Sequence, residues 1–355
     1  MLRKNKRGQI DVQFNWIFVL LIGALILSFF VGVAMWYKGT QEQKITGEIV
    51  LQLESLMKTA QESPKTAMTT TLPDITLSFT CSPYDCSTFG CPSEFSGGGI
   101  ARSTETQVLF SLGELEGTNL ITWSLEWALP YKIANFLYVT TDAVRYIIVY
   151  DDAHSNAAYA VNTLLAENSY ITKETVKVDS GSAFTITNKN DAYVRIIAFL
   201  DANSLPTSAI EDALGAQTEK EKKWDIVYVD DNEDSGEITF YDGTAEYVGL
   251  PLLVGALFSA NKDFYSCNVQ KALYQAQFVG AVYSARTAQL HTAFDADPEL
   301  SYCTYYFEQT IQDKIETIPE ALDPEDTDIV ALRDAVTTLE ENNKYAQIKG
   351  CPRVY

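Results

Sequence analysis

An uncharged apolar stretch near the N-terminus leads into a longer helical pattern. Residues 16–37 read WIFVLLIGALILSFFVGVAMWY, with Ser28 as their ordinary polar residue. A helix of this length rises roughly 33 Å, enough to cross a hydrocarbon core of about 30 Å. The pattern therefore predicts a transmembrane helix over 16–37. Apolar residues continue at helical spacing over 45–57, which predicts a stalk helix over 38–63 that ends before Pro64.

Beyond the stalk, apolar runs bounded by turns alternate with helical patterns. Arg145–Tyr150 and Tyr193–Leu200 are two such runs, and each is followed by an amphipathic segment. Continuous apolar runs are typical of strands that are buried on both faces, so residues 64–242 are predicted to form a layered α/β ectodomain. The pattern is helical over 243–355, and the last helices are expected to pack as a small bundle.

Four segments of the predicted ectodomain have compositions that suggest a local structure. The Thr-rich residues 66–71 are interpreted as a linker, and the Pro-, Ser- and Gly-rich residues 81–99 as a cysteine-containing loop. The aromatic residues 122–139 are expected to cross the core. Residues 225–241 are interpreted as two strands joined by the polar turn DDNEDSG.

Charge is distributed unevenly along the chain and indicates an orientation in the membrane. The formal net charge is −21, yet the N-terminal segment 1–15 carries four basic residues, Arg3, Lys4, Lys6 and Arg7, and one acid. Basic residues before a span favour a cytoplasmic N-terminus, so the C-terminal domain is expected to be extracellular. A cleaved secretory signal is the alternative, although its apolar region usually has only about 7–15 residues.

The remainder of the chain, with 22 basic and 46 acidic residues, is strongly acidic. Nucleic acid binding depends on Lys and Arg neutralising phosphates, so a nucleic acid partner is not expected. An acidic surface favours solubility or cationic partners. The expected partners are therefore the membrane and a protein or other cell-surface ligand.

Small residues form a stripe on the predicted transmembrane helix. Ala24, Ser28 and Gly32 recur every four residues and would lie on one face. This spacing allows a second helix to approach closely. It suggests a homo-oligomer formed through the transmembrane helix.

The N-terminal residues resemble a known leader sequence. The motif Lys-Arg-Gly-Gln at residues 6–9, followed by the apolar span, resembles the class III leader of archaeal type IV pilins and archaellins. The resemblance implies cleavage between Gly8 and Gln9, and a mature helix that serves as membrane anchor and filament core. The sequence differs from the family pattern at Asp11 and Gln13.

Three further segments extend the resemblance to single-pass archaeal surface proteins of the same layout. These are FNWIFVL at residues 14–20, NFLY at 135–138 and GCPRVY at 350–355. This second resemblance implies a location at the cell surface and implies no activity.

Six cysteines fall into two groups of three, which are Cys81, Cys86 and Cys91, and then Cys267, Cys303 and Cys351. An even number in an exported chain suggests disulfides. Neither group can pair fully within itself, so complete oxidation requires at least one bond between the groups. The alternative is a zinc site, although the C-x4-C-x4-C spacing differs from the usual C-x2-C pair.

Carboxylates follow three of the predicted strands, namely Asp151 and Asp152, Asp201, and Asp230 and Asp231. At the C-terminal edge of an α/β sheet such residues can converge on Mg²⁺. They also begin turns and cap helices, which is their ordinary role. The segment 230–238 faintly resembles a calcium loop, and a hairpin turn is the simpler interpretation.

No nucleotide-binding, serine hydrolase or zinc protease motif occurs, so no catalytic residue is assigned. The sequence favours a membrane-anchored surface protein that acts in binding or assembly without a cofactor. The alternative is an anchored enzyme or sensor that uses Mg²⁺ or Ca²⁺ at the Asp-rich strand ends.

Overall fold

The structure of the protein is a computed structural model. The residues that it describes are 16, 19–33, 35, 54–55, 58–59, 67–72, 75–86, 91, 93–103, 107–178, 184–186, 193–201, 205, 207–216, 223–232, 235–322 and 327–355. The leader residues Gly8 and Gln9 and most of the stalk 38–63 lie outside them. Residues 54, 55, 58 and 59 of the stalk are helical, as predicted.

The described part of the predicted transmembrane segment is also helical. Residues 19–33 form a continuous helix whose apolar side chains are exposed, with Leu25 at 67% and Phe29 at 65% of full exposure. Among the residues that the structure describes, no helix combines the length and the apolar character that a membrane crossing needs. The full span over 16–37 therefore stays a prediction.

The rest of the described chain is mixed α/β. Its strands are β1 (Ala67–Thr71), β2 (Leu77–Cys81), β3 (Ser93–Gly97), β4 (Ile100–Ser103), β5 (Leu109–Ser111), β6 (Glu114–Leu115), β7 (Asn119–Ala128), β8 (Lys132–Thr141), β9 (Val144–Tyr150), β10 (Thr172–Lys177), β11 (Tyr193–Phe199), β12 (Trp224–Asn232), β13 (Ser235–Phe240) and β14 (Gly243–Val248). Its helices are α1 (Ser155–Ala166), α2 (Thr207–Leu214), α3 (Leu250–Phe258), α4 (Lys262–Asp295), α5 (Gln309–Ala321) and α6 (Ile329–Ile348), with 3₁₀ turns at Pro83–Asp85 and Ser301–Phe307.

The strands form three sheets. Sheet 1 has the order β1-β7-β8-β5, sheet 2 the order β10-β9-β11-β12-β13-β14, and sheet 3 the order β4-β3-β2-β6. The segment 122–139, expected to cross the core, forms most of the β7–β8 hairpin of sheet 1. Trp127 is buried and stacks on Phe136, with ring centroids 5.2 Å apart. Trp123 packs against Tyr138 at 5.4 Å, so both tryptophans are core residues.

Sheet 2 contains the parallel unit that the apolar runs predict. Strands β10, β9, β11 and β12 are parallel neighbours, and β13 and β14 add an antiparallel edge. Alternate residues of β9 bury in different clusters: Ile148 packs with Val161 of α1, whereas Ile147 packs with Ile210 of α2. The sheet is therefore covered by helices on both faces, which explains why its strands lack a polar side.

Two segments predicted to be irregular are strands. The Thr-rich residues assigned to a linker form β1, which pairs antiparallel with β7 from Ala67 opposite Trp123 to Thr71 opposite Asn119. Within 81–99, assigned to a loop, residues 93–97 form β3 and pair with β2. The causes differ: β1 gains its ladder hydrogen bonds from the distant strand β7, whereas β3 pairs with the nearby strands β2 and β4, and in both cases the polar composition does not reveal the pairing.

Helix α3 occupies the centre of the molecule. It is apolar on all sides, and its residues 252–258 are all buried, packed between strands of sheet 1 and β14 of sheet 2. Gly255 allows this approach, because a Cβ there would lie 2.8 Å from the ring of Phe110. The predicted boundary at residue 243 changes accordingly: residues 243–248 form strand β14, and helix begins at Leu250.

One buried ion pair joins sheet 2 to the end of α3. Arg195 on β11 is fully buried, and its Nη1 donates to Asp225 Oδ2 on β12 at 2.5 Å. Its Nη2 donates to the carbonyl oxygens of Ser259 at 2.7 Å and Ala256 at 3.4 Å. These carbonyls belong to the C-terminal end of α3, where backbone acceptors lack helical partners and a cation is favourable.

The C-terminal helices pack together as predicted. Helix α4 lies against α5, and α5 against α6. A disulfide between Cys303 and Cys351 fastens the last residues. The ring of Tyr355 packs against those of Tyr131 and Tyr283. Burial raises the pKa of the Tyr355 hydroxyl to about 12.

The ion pair makes a prediction about stability. Replacing Arg195 with Met leaves the Asp225 carboxylate buried without its cation, and such losses cost about 3–5 kcal/mol. We expect the urea midpoint of R195M to fall by the corresponding amount. Lys314→Met is the matched control, because its ion pair with Asp334 is at the surface and exposed pairs contribute about 0–1 kcal/mol. Equal effects of the two variants would contradict the role assigned to Arg195.

Candidate functional site

The connections of sheet 2 diverge at one edge of the sheet. From β9 the chain passes through α1 to β10 on one side, and from β11 it passes through α2 to β12 on the other. The two helices lie on opposite faces, so the C-terminal ends of β9 and β11 form a topological switch point. In open α/β sheets ligands bind at this kind of position. The edge of the sheet here is our candidate functional site.

The structure places the predicted carboxylates at this edge. Asp151 follows β9 directly, and Asp201 lies two residues after β11, whose Phe199 is paired with Tyr150 of β9. Asp230 belongs to β12, the next parallel strand, but lies beyond its parallel section, where it pairs with Glu237 of β13. Asp151 and Asp201 thus follow neighbouring strands as predicted, whereas Asp230 and Asp231 lie within β12, because pairing with β13 extends that strand.

The aspartates do not share a ligand position among the residues that the structure describes. Asp151 contacts His154, and Asp152 forms an ion pair with Lys177 at 2.8 Å. Three metal-capable side chains come within 4.8 Å of one another only at the sulfur atoms of Cys86, Cys91 and Cys267, within the described residues. The side chain of Asp231 lies outside the description, and the cation site stays a prediction.

The segment compared with a calcium loop is a β-hairpin. Strands β12 and β13 are paired up to Asn232 and Ser235, which confirms the hairpin interpretation. Across the antiparallel strands Asp230, Glu237 and Glu246 are successive neighbours, and they line a groove of about 410 Å³. Glu246 also accepts a hydrogen bond from the Thr327 backbone N–H at 2.8 Å, which ties this edge to the segment before α6.

Asp151 and His154 are in direct polar contact at the site. Asp151 Oδ1 lies 2.8 Å from His154 Nδ1 and accepts the His154 backbone N–H at 3.0 Å. Burial alone would raise the pKa of the Asp151 carboxyl, but the hydrogen bonds from His154 and from the Ala153 backbone lower it below its ordinary value. The same contacts form the turn that leads into helix α1, so Asp151 orients both the imidazole of His154 and the backbone that enters the helix.

A groove of about 300 Å³ lies beside this pair, between α1 and the strands β9 and β10. Its lining includes Tyr150, Ser155, Asn156, Tyr159, Asn162 and Thr175. None of these side chains is charged. Lys173 of β10 donates to Asn162 Oδ1 at 2.8 Å and to the Asn162 carbonyl oxygen, and burial lowers the pKa of its ammonium group.

This groove was not predicted from the sequence. Its signal was present, because Asn156, Tyr159 and Asn162 recur every three residues in α1 and so lie near one another on the helix. What the sequence could not supply was the partner surface. Thr175 and Tyr150 face α1 only because β10 and β9 pair in parallel with Thr175 opposite Ile148.

The cysteines form three disulfides and leave no free thiol in the described chain. Cys81 pairs with Cys267, Cys86 with Cys91, and Cys303 with Cys351. The expected bond between the two sequence groups is thus present as Cys81–Cys267. With these bonds formed, no sulfur is available as a thiolate ligand, so the zinc alternative does not fit this arrangement.

The predicted helix-association face is present on the described N-terminal helix. The hydroxyl of Ser28 donates to the carbonyl oxygen of Ala24 at 2.8 Å, which places both on one face. A Cβ added at Gly32 would meet nothing within 4 Å. The face is therefore open along this stretch.

Comparison with known proteins gives no relative. The chain matches no protein-family model, no curated protein and no solved structure.

The shifted pKa of Asp151 predicts a pH-dependent effect. A carboxyl whose pKa is lowered on folding stabilises the protein above its unfolded pKa of about 4, and this contribution is lost as pH falls through the folded pKa. We expect Asp151→Asn to lower the urea midpoint at neutral pH and to have progressively less effect as the pH falls below about 4.

Asp201→Asn is the control, because Asp201 is an exposed aspartate that follows the neighbouring strand β11. Its urea midpoint should stay at the native value throughout the titration. An Asp151→Asn effect that is independent of pH would contradict the assignment.

Proposed function

We propose that this protein is a single-pass membrane protein whose acidic ectodomain lies outside the cytoplasm and acts in binding or assembly. The observation that carries the proposal is the pairing of all six cysteines. Structural disulfides persist in oxidising, extracytoplasmic environments and are rare in the cytosol. The Cys81–Cys267 bond closes 186 residues, and the chain-entropy estimate for such a loop is about 5 kcal/mol.

The N-terminal helix supports the anchor. Its described large apolar side chains are exposed, those of Leu25, Phe29 and Phe30 by more than half, and none of them belongs to a buried core cluster. Large exposed apolar surfaces of this kind mark a site of contact with a protein or a membrane. A bilayer suits the uncharged stretch 16–37, and the basic residues before it favour a cytoplasmic N-terminus.

A finer form of the proposal is a pilin-like protein. Its support is the motif at residues 6–9 and its distance from the apolar helix. In this form Gln9 is the first residue of the mature chain, and helix association in the membrane contributes to assembly.

Intact mass and accessibility test the location. For protein purified from its native membranes we expect the non-reduced mass to be lower than the fully reduced mass by six hydrogens, because three disulfides are present. Protease added to intact cells should remove the ectodomain. Six free thiols, or an ectodomain protected in intact cells, would overturn the proposal. An N-terminus at Gln9 supports the pilin-like form, and retention of Arg3–Arg7 contradicts it.

Association through the helix has its own test. Gly32→Leu places a bulky side chain on the face shared by Ala24 and Ser28, so we expect it to weaken dimerisation in a membrane two-hybrid reporter. Gly23→Leu is the matched control, since Gly23 is equally open but lies off this face. If both variants dimerise like the native helix, the small-residue face plays no part in association.

A further inference from the structure

The groove beside α1 differs in charge from the rest of the protein. The chain has a formal net charge of −21, yet the groove is lined by hydroxyls, amides and aromatic rings. The nearby charges are engaged: Asp151 contacts His154, Asp152 pairs with Lys177, and the Lys173 ammonium donates to Asn162. An anionic ligand would meet an acidic surface with no free counter-charge in the lining. The chemistry of the groove therefore favours an uncharged ligand rich in hydrogen-bonding groups.

Two tyrosines give the groove aromatic surface. Tyr159 is 72% exposed on α1, and Tyr150 is half-buried at the end of β9. A tyrosine ring offers a rigid apolar face with a polar edge, at low cost in conformational entropy. Such a face suits the C–H surface of a pyranose ring, while the hydroxyl reaches neighbouring polar groups.

An oriented amide completes the lining. Lys173 donates to both Asn162 Oδ1 and the Asn162 carbonyl oxygen, which fixes the rotation of the side chain. With Oδ1 occupied, the Nδ2 group supplies donors, and Asn156 and Thr175 add further donors and acceptors. Amides and hydroxyls of this kind hydrogen-bond sugar hydroxyls, which also act as donors and acceptors.

We propose that this groove is a binding site for a short neutral saccharide. In its choice of ligand the proposal rests on the proposed function, because saccharides are ligands that an ectodomain facing the exterior would meet. The groove, at about 300 Å³, is at the lower end of the range of about 300–1,000 Å³ for small-molecule sites. It lies beside the C-terminal end of β9, close to the position at which ligands of open α/β sheets bind.

The test is calorimetric titration of the full chain in a zwitterionic detergent without a sugar headgroup. The probes are maltotriose, cellotriose, mannotriose and triacetylchitotriose, with anionic trigalacturonate as the comparator. We expect at least one neutral probe to bind with a dissociation constant of about 1 mM or tighter, and trigalacturonate to bind about tenfold more weakly. Failure of all four neutral probes, or equal binding of trigalacturonate, overturns the proposal.

Variants locate the binding to the groove. Tyr159→Ala should weaken the binding of the neutral probe by about tenfold, because the exposed ring provides the stacking surface. Tyr159→Phe keeps the ring and should retain most of the affinity. Tyr170→Ala is the matched control. Tyr170 is 52% exposed and lies before the start of β10, whereas Tyr150 of the groove lies at the C-terminal end of β9. Native affinity in Tyr159→Ala would overturn the assignment.

The location experiments and the saccharide titration test the two proposals independently. A chain with six free thiols that still binds a neutral trisaccharide contradicts the proposed location and retains the groove. A disulfide-bonded ectodomain outside the cell that binds none of the probes retains the location and rejects the saccharide site.

Discussion

The buried guanidinium of Arg195 is the interaction on which the layers of the molecule depend. It lies where β11 and β12 meet the C-terminal end of α3, and it binds Asp225 together with backbone carbonyls of that helix. Helix α3 in turn packs against strands of both sheet 1 and sheet 2. Because a buried charge without its partners is costly, the ion pair and the two carbonyl contacts of the guanidinium favour the arrangement in which the sheet and the helix end meet.

Covalent bonds reinforce the core at two places. The Cys81–Cys267 bond joins sheet 3 to α4, and the Cys303–Cys351 bond holds the C-terminal segment against the helices. Sheet 3 has short strands whose Leu77, Phe79 and Phe95 are buried in the main core, and the disulfide adds a covalent tie to that burial. This use of disulfides is consistent with the acidic, extracytoplasmic ectodomain that we propose.

The candidate site results from the topology of sheet 2. Asp151 and Asp201 follow neighbouring parallel strands whose helices lie on opposite faces, and a groove opens beside the first of these helices. The acidic side chains at this edge serve turns and ion pairs. The uncharged side chains of α1, among them Tyr159 and Asn162, line the groove. Binding chemistry and structural chemistry are thus divided between adjacent segments.

The sequence by itself determined the elements whose hydrophobic pattern is self-sufficient: the buried strands β9 and β11, their helices, the long α4, and the need for one bond between the two cysteine groups. It also located Asp151 and Asp201 after buried strands. Tertiary structure alone decided the polar strand β1, the choice of Cys81 and Cys267 as partners, and the groove beside α1. The physical reason is that each of these depends on surfaces brought together from distant parts of the chain, which local periodicity does not encode.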